Sequence, residues 1–262
     1  MVEIELDITK SIEVNASDYF QKAKRLKKKL EKTHKAIERL SKKKEIAEKK
    51  HEIARKKEEE AKKPKRVKEW YEKFHWFYSS EGFLVIGGRD ATTNEIVIKK
   101  HTDKEDIVFH TDASGSGFFV IKTEGKKVGE ISIKETAIAT ASYSKAWKNG
   151  LMSLEVFHVS PEQVTKEAKA GEYVAKGAFM IYGKKQYLKP MVGLALGIYE
   201  GKVMCAALSA IQKNCPEFVE IEMGKEKKSD TAKKARKVLK SGELDDYISV
   251  IPSGGCHIKK KR

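Results

Sequence analysis

The chain has 262 residues, a formal net charge of +16 from 54 Lys and Arg against 38 Asp and Glu, 40% hydrophobic residues and 8% aromatics. That composition excludes wholesale disorder, and the length suffices for one large domain or two modest ones. The longest apolar runs, 192–199 and 203–211, fall short of the ~20 residues that span a bilayer, and the three cysteines, Cys205, Cys215 and Cys256, contain no CxxC pair. Neither a disulfide framework nor a structural zinc is expected.

The opening residues Met1-Val2-Glu3-Ile4-Glu5 are acidic, unlike a secretory signal, so the expected location is the cytoplasm. Residues 1–16 form an acidic lead-in in which Ile4, Leu6 and Ile8 alternate with polar residues, as a short strand would. From 17 to 68 there are 22 Lys or Arg and 9 Asp or Glu, so most of the excess positive charge lies in a fifth of the chain. Tyr19, Ala23, Leu26, Leu30, Thr33, Ile37 and Leu40 recur at alternating steps of four and three, the seam of a coiled coil. This predicts a basic helical arm over 17–63, capped by Ser17 and broken by Pro64. The seam weakens after Leu40, so the second half is expected to bend back, fray or lie on something else. A merely solvated helix interleaves the two signs of charge, and the basic excess favours a polyanion-binding surface with Lys27, Lys28, Lys29, Lys42, Lys43 and Lys44 on phosphates. The same seam is compatible with self-association.

Beyond Pro64, Val67, Trp70, Tyr71 and Phe74 fall at helical spacing and read as core, rather than as a stacking platform. Strands are expected at 83–87, 95–100, 106–111 and 117–122, joined by short turns in an antiparallel meander. A helix over 134–149 stops at Gly150, and strands follow at 153–159 and 177–182. The last block predicts strands at 194–199 and 218–223, and between them either a strand at 203–208 or a helix reaching 212. A basic helix capped by Asp230, a strand at 247–251 and a basic tail then close the chain. The expected fold is α+β: a long basic arm followed by a mostly antiparallel sheet domain with flanking helices.

No chemistry-bearing motif stands out. The seven histidines lack ligand spacing, no GxSxG elbow exists, and the glycine pairs open neither a phosphate loop nor a dinucleotide fingerprint. The reading is therefore no enzyme, no metal and no cofactor, although His110 and Asp112 would suit RNA processing. What remains is a set of polar residues at turns and strand ends: Arg89, Asp90, Asn94, Lys99, Lys100, His110, Asp112 and Ser116. Each has an alternative as a turn former. Beside Gly87-Gly88, Arg89 can grip a phosphate or lock onto Asp90, and the pair alone leaves both open.

The string Trp70-Tyr71-Glu72-Lys73-Phe74-His75-Trp76-Phe77-Tyr78-Ser79-Ser80-Glu81-Gly82-Phe83-Leu84-Val85-Ile86-Gly87-Gly88-Arg89-Asp90, with Asn94-Glu95, closely resembles the opening of the NFACT-R domain. That domain is the RNA-binding module of the NEMF-like, fibronectin-binding-protein-A-like ribosome quality-control proteins. The pattern continues in Asp106-Ile107-Val108-Phe109-His110-Thr111, Gly115-Ser116, Tyr143-Ser144-Lys145-Ala146-Trp147, Gly171-Glu172-Tyr173 and Gly177-Ala178-Phe179-Met180-Ile181 with Gly183-Lys184-Lys185. The resemblance implies an RNA-binding domain over 64–188 behind the arm, with 189–262 as a C-terminal extension packed on or beside it, of the kind in archaeal-looking members. It implies RNA contacts by Arg89, Asp90, Asn94, Lys99, Lys100, His110, Ser116, Lys184 and Lys185. It also implies partners: large-subunit ribosomal RNA, tRNA, and ribosomal proteins through the coiled coil, with no membrane. Such proteins engage large subunits that hold peptidyl-tRNA after stalling, and in many lineages recruit tRNA for untemplated tailing. The family's N-terminal half is not among these residues, so tailing is not expected of this chain alone. The competing reading is a coiled-coil protein adaptor that binds no RNA.

Overall fold

The computed structural model describes residues 4–61, 67–113, 115–167 and 174–259, which fall into two units, Met1–Val67 and Lys68–Arg262. Pro64, Ser114, Gly171-Glu172-Tyr173 and the tail residues 260–262 lie outside the described residues.

The first unit is one helix, α1 (Ile12–Ala61), about 75 Å long at 1.5 Å per residue. It starts before Ser17, because the Ser11 hydroxyl accepts the Val14 N–H at 3.4 Å. The lead-in is a turn in place of a strand: Asn15, buried, bonds both the N–H and the carbonyl of Asp7 at 2.9 Å. Tyr19 donates its hydroxyl proton to the Glu5 carbonyl at 2.6 Å. The helix runs on through the weak half of the seam without bending back. Leu26, Leu30, Ile37 and Leu40 are 58–65% exposed along it.

The second unit holds two antiparallel sheets. The larger has six strands, β1 (His75–Tyr78), β2 (Leu84–Gly87), β3 (Ile107–Thr111), β4 (Phe119–Ile121), β5 (Val156–Val159) and β8 (Gln186–Leu188), in the order β1-β2-β4-β3-β5-β8. A two-stranded ribbon, β6 (Val164–Thr165) with β7 (Met180–Ile181), stands apart. The smaller sheet has β9 (Leu194–Tyr199), β10 (Lys202–Ala206), β11 (Phe218–Met223) and β12 (Cys256–Ile258), in the order β10-β9-β11-β12. Six helices accompany them: α2 (Ala91–Lys100), α3 (Glu130–Ser142), α4 (Lys145–Asn149), α5 (Leu208–Asn214), α6 (Lys228–Leu239) and α7 (Leu244–Val250).

The α+β class stands, with several local corrections. Residues 95–100 are helical, because Asp90 caps α2 by accepting the Thr93 N–H at 2.8 Å and Val97 buries against the sheet. The chain therefore crosses from β2 to β3 through a helix, and β4 fits between them, so the sheet is antiparallel without being a simple meander. The helix expected at 67–74 shrinks to a 3-10 turn, Trp70–Lys73, and the aromatics after it form β1. Phe74 is fully buried, but Trp70 is 44% exposed and stacks on His101 at 4.5 Å. The helix at 134–149 is two helices, since Ser144 turns extended and its hydroxyl caps α4 on the Ala146 N–H at 3.0 Å. The strand at 177–182 narrows to Met180–Ile181. Residues 247–251 belong mostly to α7 instead of a strand, and Asp230 sits in the first turn of α6, three residues after its extended N-cap Lys227.

One core runs through both sheets. Phe77, Phe109, Phe119 and Trp147 bury in the same cluster as Leu196, Met204 and Tyr247. Polar ties cross the same boundary: the Tyr143 hydroxyl donates to the Val250 carbonyl at 2.6 Å, the Trp147 indole to Gly255 O at 3.1 Å, and Asn214 Nδ2 to Tyr78 O at 2.9 Å.

Candidate nucleic-acid interface

The diglycine after β2 is set by packing. A Cβ on Gly88 would lie 1.8 Å from Asn94 Oδ1 and one on Gly87 would strike the Phe119 ring, so neither position admits another residue without displacement. This close approach draws α2 onto the sheet and opens a cleft of about 470 Å³ beside it. Arg89, Asn94, His110 and Ser116 all line the cleft, as do His75, Tyr143 and Lys176. Lys228 at the start of α6, with Ser249 and Ser253, closes it from the C-terminal extension.

Each side chain in the cleft already has a local task. The Nη2 of Arg89 donates to Phe74 O at 2.7 Å and Glu72 O at 3.3 Å, whereas its Nε is buried without a partner. The lock is thus onto main-chain carbonyls and not onto Asp90. The hydrogen bonds from Thr93 that hold the Asp90 carboxylate also lower its pKa. Asn94 lies in α2, not at the start of a strand, and accepts the Phe118 N–H at 3.1 Å. The Ser116 hydroxyl is 2.6 Å from Thr111 Oγ1 and donates to Ala113 O. His110 stacks on Phe118 at 3.9 Å with Nδ1 3.3 Å from Gly117 O, and burial pushes its pKa down to about 4. At neutral pH the ring is uncharged; with Nδ1–H donating to that carbonyl, Nε2 is left as an acceptor.

Residues that sequence reasoning missed also line the cleft. His75 stacks on Tyr143 at 3.9 Å, and its Nδ1 is buried without a partner. Burial, then the nearby charges of Arg89 and Lys228, hold His75 well below its ordinary pKa. Burial and then Arg89 likewise lower the pKa of Lys228. Arg89 and Lys228 therefore both act on one neutral imidazole, and neither has a carboxylate within salt-bridge distance among the described residues. Lys228 was one lysine in a basic helix to the eye; only the fold carries it to Arg89.

The other expected contacts lie outside the cleft. Lys99 and Lys100 are exposed in the last turn of α2, with Lys99 3.9 Å from Glu95. Lys184 and Lys185 precede β8, where Lys185 pairs with Asp112 at 2.8 Å and lies over the Phe157 ring at 4.1 Å. On α1, Lys27, Lys28, Lys29 and Lys43 are exposed, Lys42 pairs with Glu38 at 2.8 Å and Lys44 approaches Glu48 at 3.8 Å. Asp112 is bonded by Lys185 at 2.8 Å and by the Tyr187 hydroxyl at 3.4 Å, and among the described residues no hydrogen bond joins it to His110.

The family model of the NFACT protein RNA binding domain matches residues 73–183, which hold the floor of this cleft. Residues 73–183 form an NFACT-R domain. The archaeal Rqc2 homolog aRqcH of Methanocaldococcus jannaschii is 42% identical over 204 residues, 75% of this chain and 30% of that protein. The ribosome quality control complex subunit NEMF of Homo sapiens is 41% identical over 122 residues, 46% of this chain and 11% of that one. The chain thus spans less than a third of the length of these curated relatives. Among solved structures, the C-terminal part of the fibronectin/fibrinogen-binding protein from Streptococcus suis is similar over half of this chain and 49% of that one, at a TM-score of 0.40 and 17% identity. In this chain the NFACT-R match stops at 183, so Lys228, Ser249 and Ser253 reach the cleft from outside it. Among the described residues no helix is long and apolar enough to cross a membrane.

Proposed function

We propose that this chain is the RNA-binding part of a cytoplasmic ribosome quality-control factor, engaging the large subunit and tRNA after stalling without a catalytic step of its own. The NFACT-R match over residues 73–183 carries the reading. The names of its relatives, an archaeal Rqc2 homolog and a ribosome quality control complex subunit, supply the process. The basic face of α1 suits sequence-independent phosphate contact, since lysine ammonium groups meet phosphates without reading bases. The test is binding of the purified chain to large subunits and to tRNA across a salt series. Neutralising several phosphates makes log affinity fall linearly with log salt, by about 0.9 per phosphate on a duplex and about 0.7 on a single strand. A flat salt dependence with undiminished subunit binding overturns the reading in favour of a protein adaptor. That second reading is kept for one observation, the exposed Leu26, Leu30, Ile37 and Leu40 stripe on α1.

A further inference from the structure

The cleft contains a combination that the protein alone does not complete. Arg89 Nε and His75 Nδ1 are buried without hydrogen-bond partners, and such orphaned donors and acceptors are costly unless something else satisfies them. Arg89, Lys176 and Lys228 bring three positive charges into the same cleft, and none of them has a carboxylate within salt-bridge distance among the described residues. Among the described residues the one acid on the cleft wall is Asp90, whose carboxylate is held by Thr93 at the cap of α2. Glycines at 88, 115, 117 and 177 line the cleft, and Phe179 supplies an aromatic surface there. At about 470 Å³ the space lies within the ~300–1,000 Å³ of small-molecule pockets and is much larger than a phosphate ion alone requires.

We propose that this cleft takes one phosphate-bearing nucleotide of the bound RNA, its phosphate between Arg89 and Lys228 and its base against the glycines and Phe179. The inference rests on the RNA-binding reading and narrows it to a single pocket. It also gives the C-terminal extension a task, because Lys228 lies outside the NFACT-R match yet supplies one of the cleft's cations.

Arg89 also holds Phe74 and Glu72, so Lys228→Met, which keeps the apolar stem and removes only the charge, is the informative variant. Thermal protection of the full chain is read with adenosine 5′-monophosphate, with adenosine and with inorganic phosphate, and RNA affinity is read on the same samples. The expected result is protection by the monophosphate, weaker protection by inorganic phosphate and none by adenosine. In Lys228→Met, monophosphate affinity falls roughly 10- to 100-fold, the loss of one charge-assisted contact, while the unliganded melting temperature holds or rises. RNA affinity falls with it. Equal protection by inorganic phosphate and the monophosphate overturns the nucleotide assignment. Absence of protection by either, or RNA binding unchanged in Lys228→Met, overturns the pocket while leaving the RNA-binding reading intact. Monophosphate binding in a chain that binds no RNA removes the proposal's RNA component and the RNA-binding reading together.

Discussion

The guanidinium of Arg89 reaches back to the carbonyl of Phe74, 2.7 Å away, and so ties the β2–α2 turn to the entry of β1. Arg89→Ala leaves that carbonyl unpaired and is expected to cost about 1–3 kcal/mol, read as a lower urea midpoint at unchanged m-value. An unchanged midpoint would show that the lock contributes nothing and that Arg89 serves ligands alone.

Gly88 and Asn94 form a second test of the same corner. Gly88→Ala places a methyl group 1.8 Å from Asn94 Oδ1 and is expected to destabilise by about 1–3 kcal/mol through overpacking. In the double variant Gly88→Ala with Asn94→Ala the penalties should be less than additive, because the clash disappears with the carboxamide. Strict additivity in denaturant titrations would mean that the corner relaxes elsewhere.

Trp70 and Phe74 share a turn but not an environment. Phe74→Ala should cost about 3–5 kcal/mol as a fully buried aromatic, and Trp70→Ala clearly less, since nearly half of its surface already meets water. Equal losses in calorimetry would place Trp70 in the core after all.

His110 gives stability a pH dependence of known sign. Its pKa is about 4 in the fold against an ordinary 6.5, so between those values the unfolded chain binds a proton that the folded chain refuses. The contribution is complete above pH 6.5 and is lost as pH falls towards 4; His75, also lowered by burial, acts in the same direction. The stability gap between the wild type and His110→Gln should narrow across this window. A gap independent of pH would mean that His110 titrates normally.

On the arm, changing Lys27, Lys28, Lys29, Lys42, Lys43 and Lys44 to Glu should weaken association with large subunits and flatten its salt dependence. The melting of the Lys68–Arg262 unit should not change. Undiminished sedimentation with subunits in about 150 mM salt would remove the arm as an RNA contact.

Why some of this was legible in sequence and some not follows from the range of the forces involved. The seam of α1, the edges of β2, β9 and β11 and the stop at Gly150 are local patterns, and the chain displays them directly. Glu95-Ile96-Val97-Ile98 reads as strand because β-branched residues favour one, yet the cap at Asp90 with Thr93 decides for helix. Residues 247–251 were misread for a similar reason, their apolar run belonging to a short helix against β10. Arg89, Asn94, His110 and Ser116 do converge on one cleft, though their hydrogen bonds fix the frame around it. Lys228 and His75 carry no signature of their own, since their significance is a proximity made by tertiary packing.

The shared core also separates two boundaries that are easily conflated. The NFACT-R match ends at 183, but cooperative folding does not, because Met204 sulfur accepts the Tyr78 N–H at 3.4 Å and Tyr143 is anchored on Val250. A fragment trimmed to the recognisable domain would leave the faces that meet Leu196, Met204 and Tyr247 open to water, and aggregation would then be mistaken for a lack of RNA affinity. The segment that matches the family model and the segment that folds around one core are different lengths of the same chain.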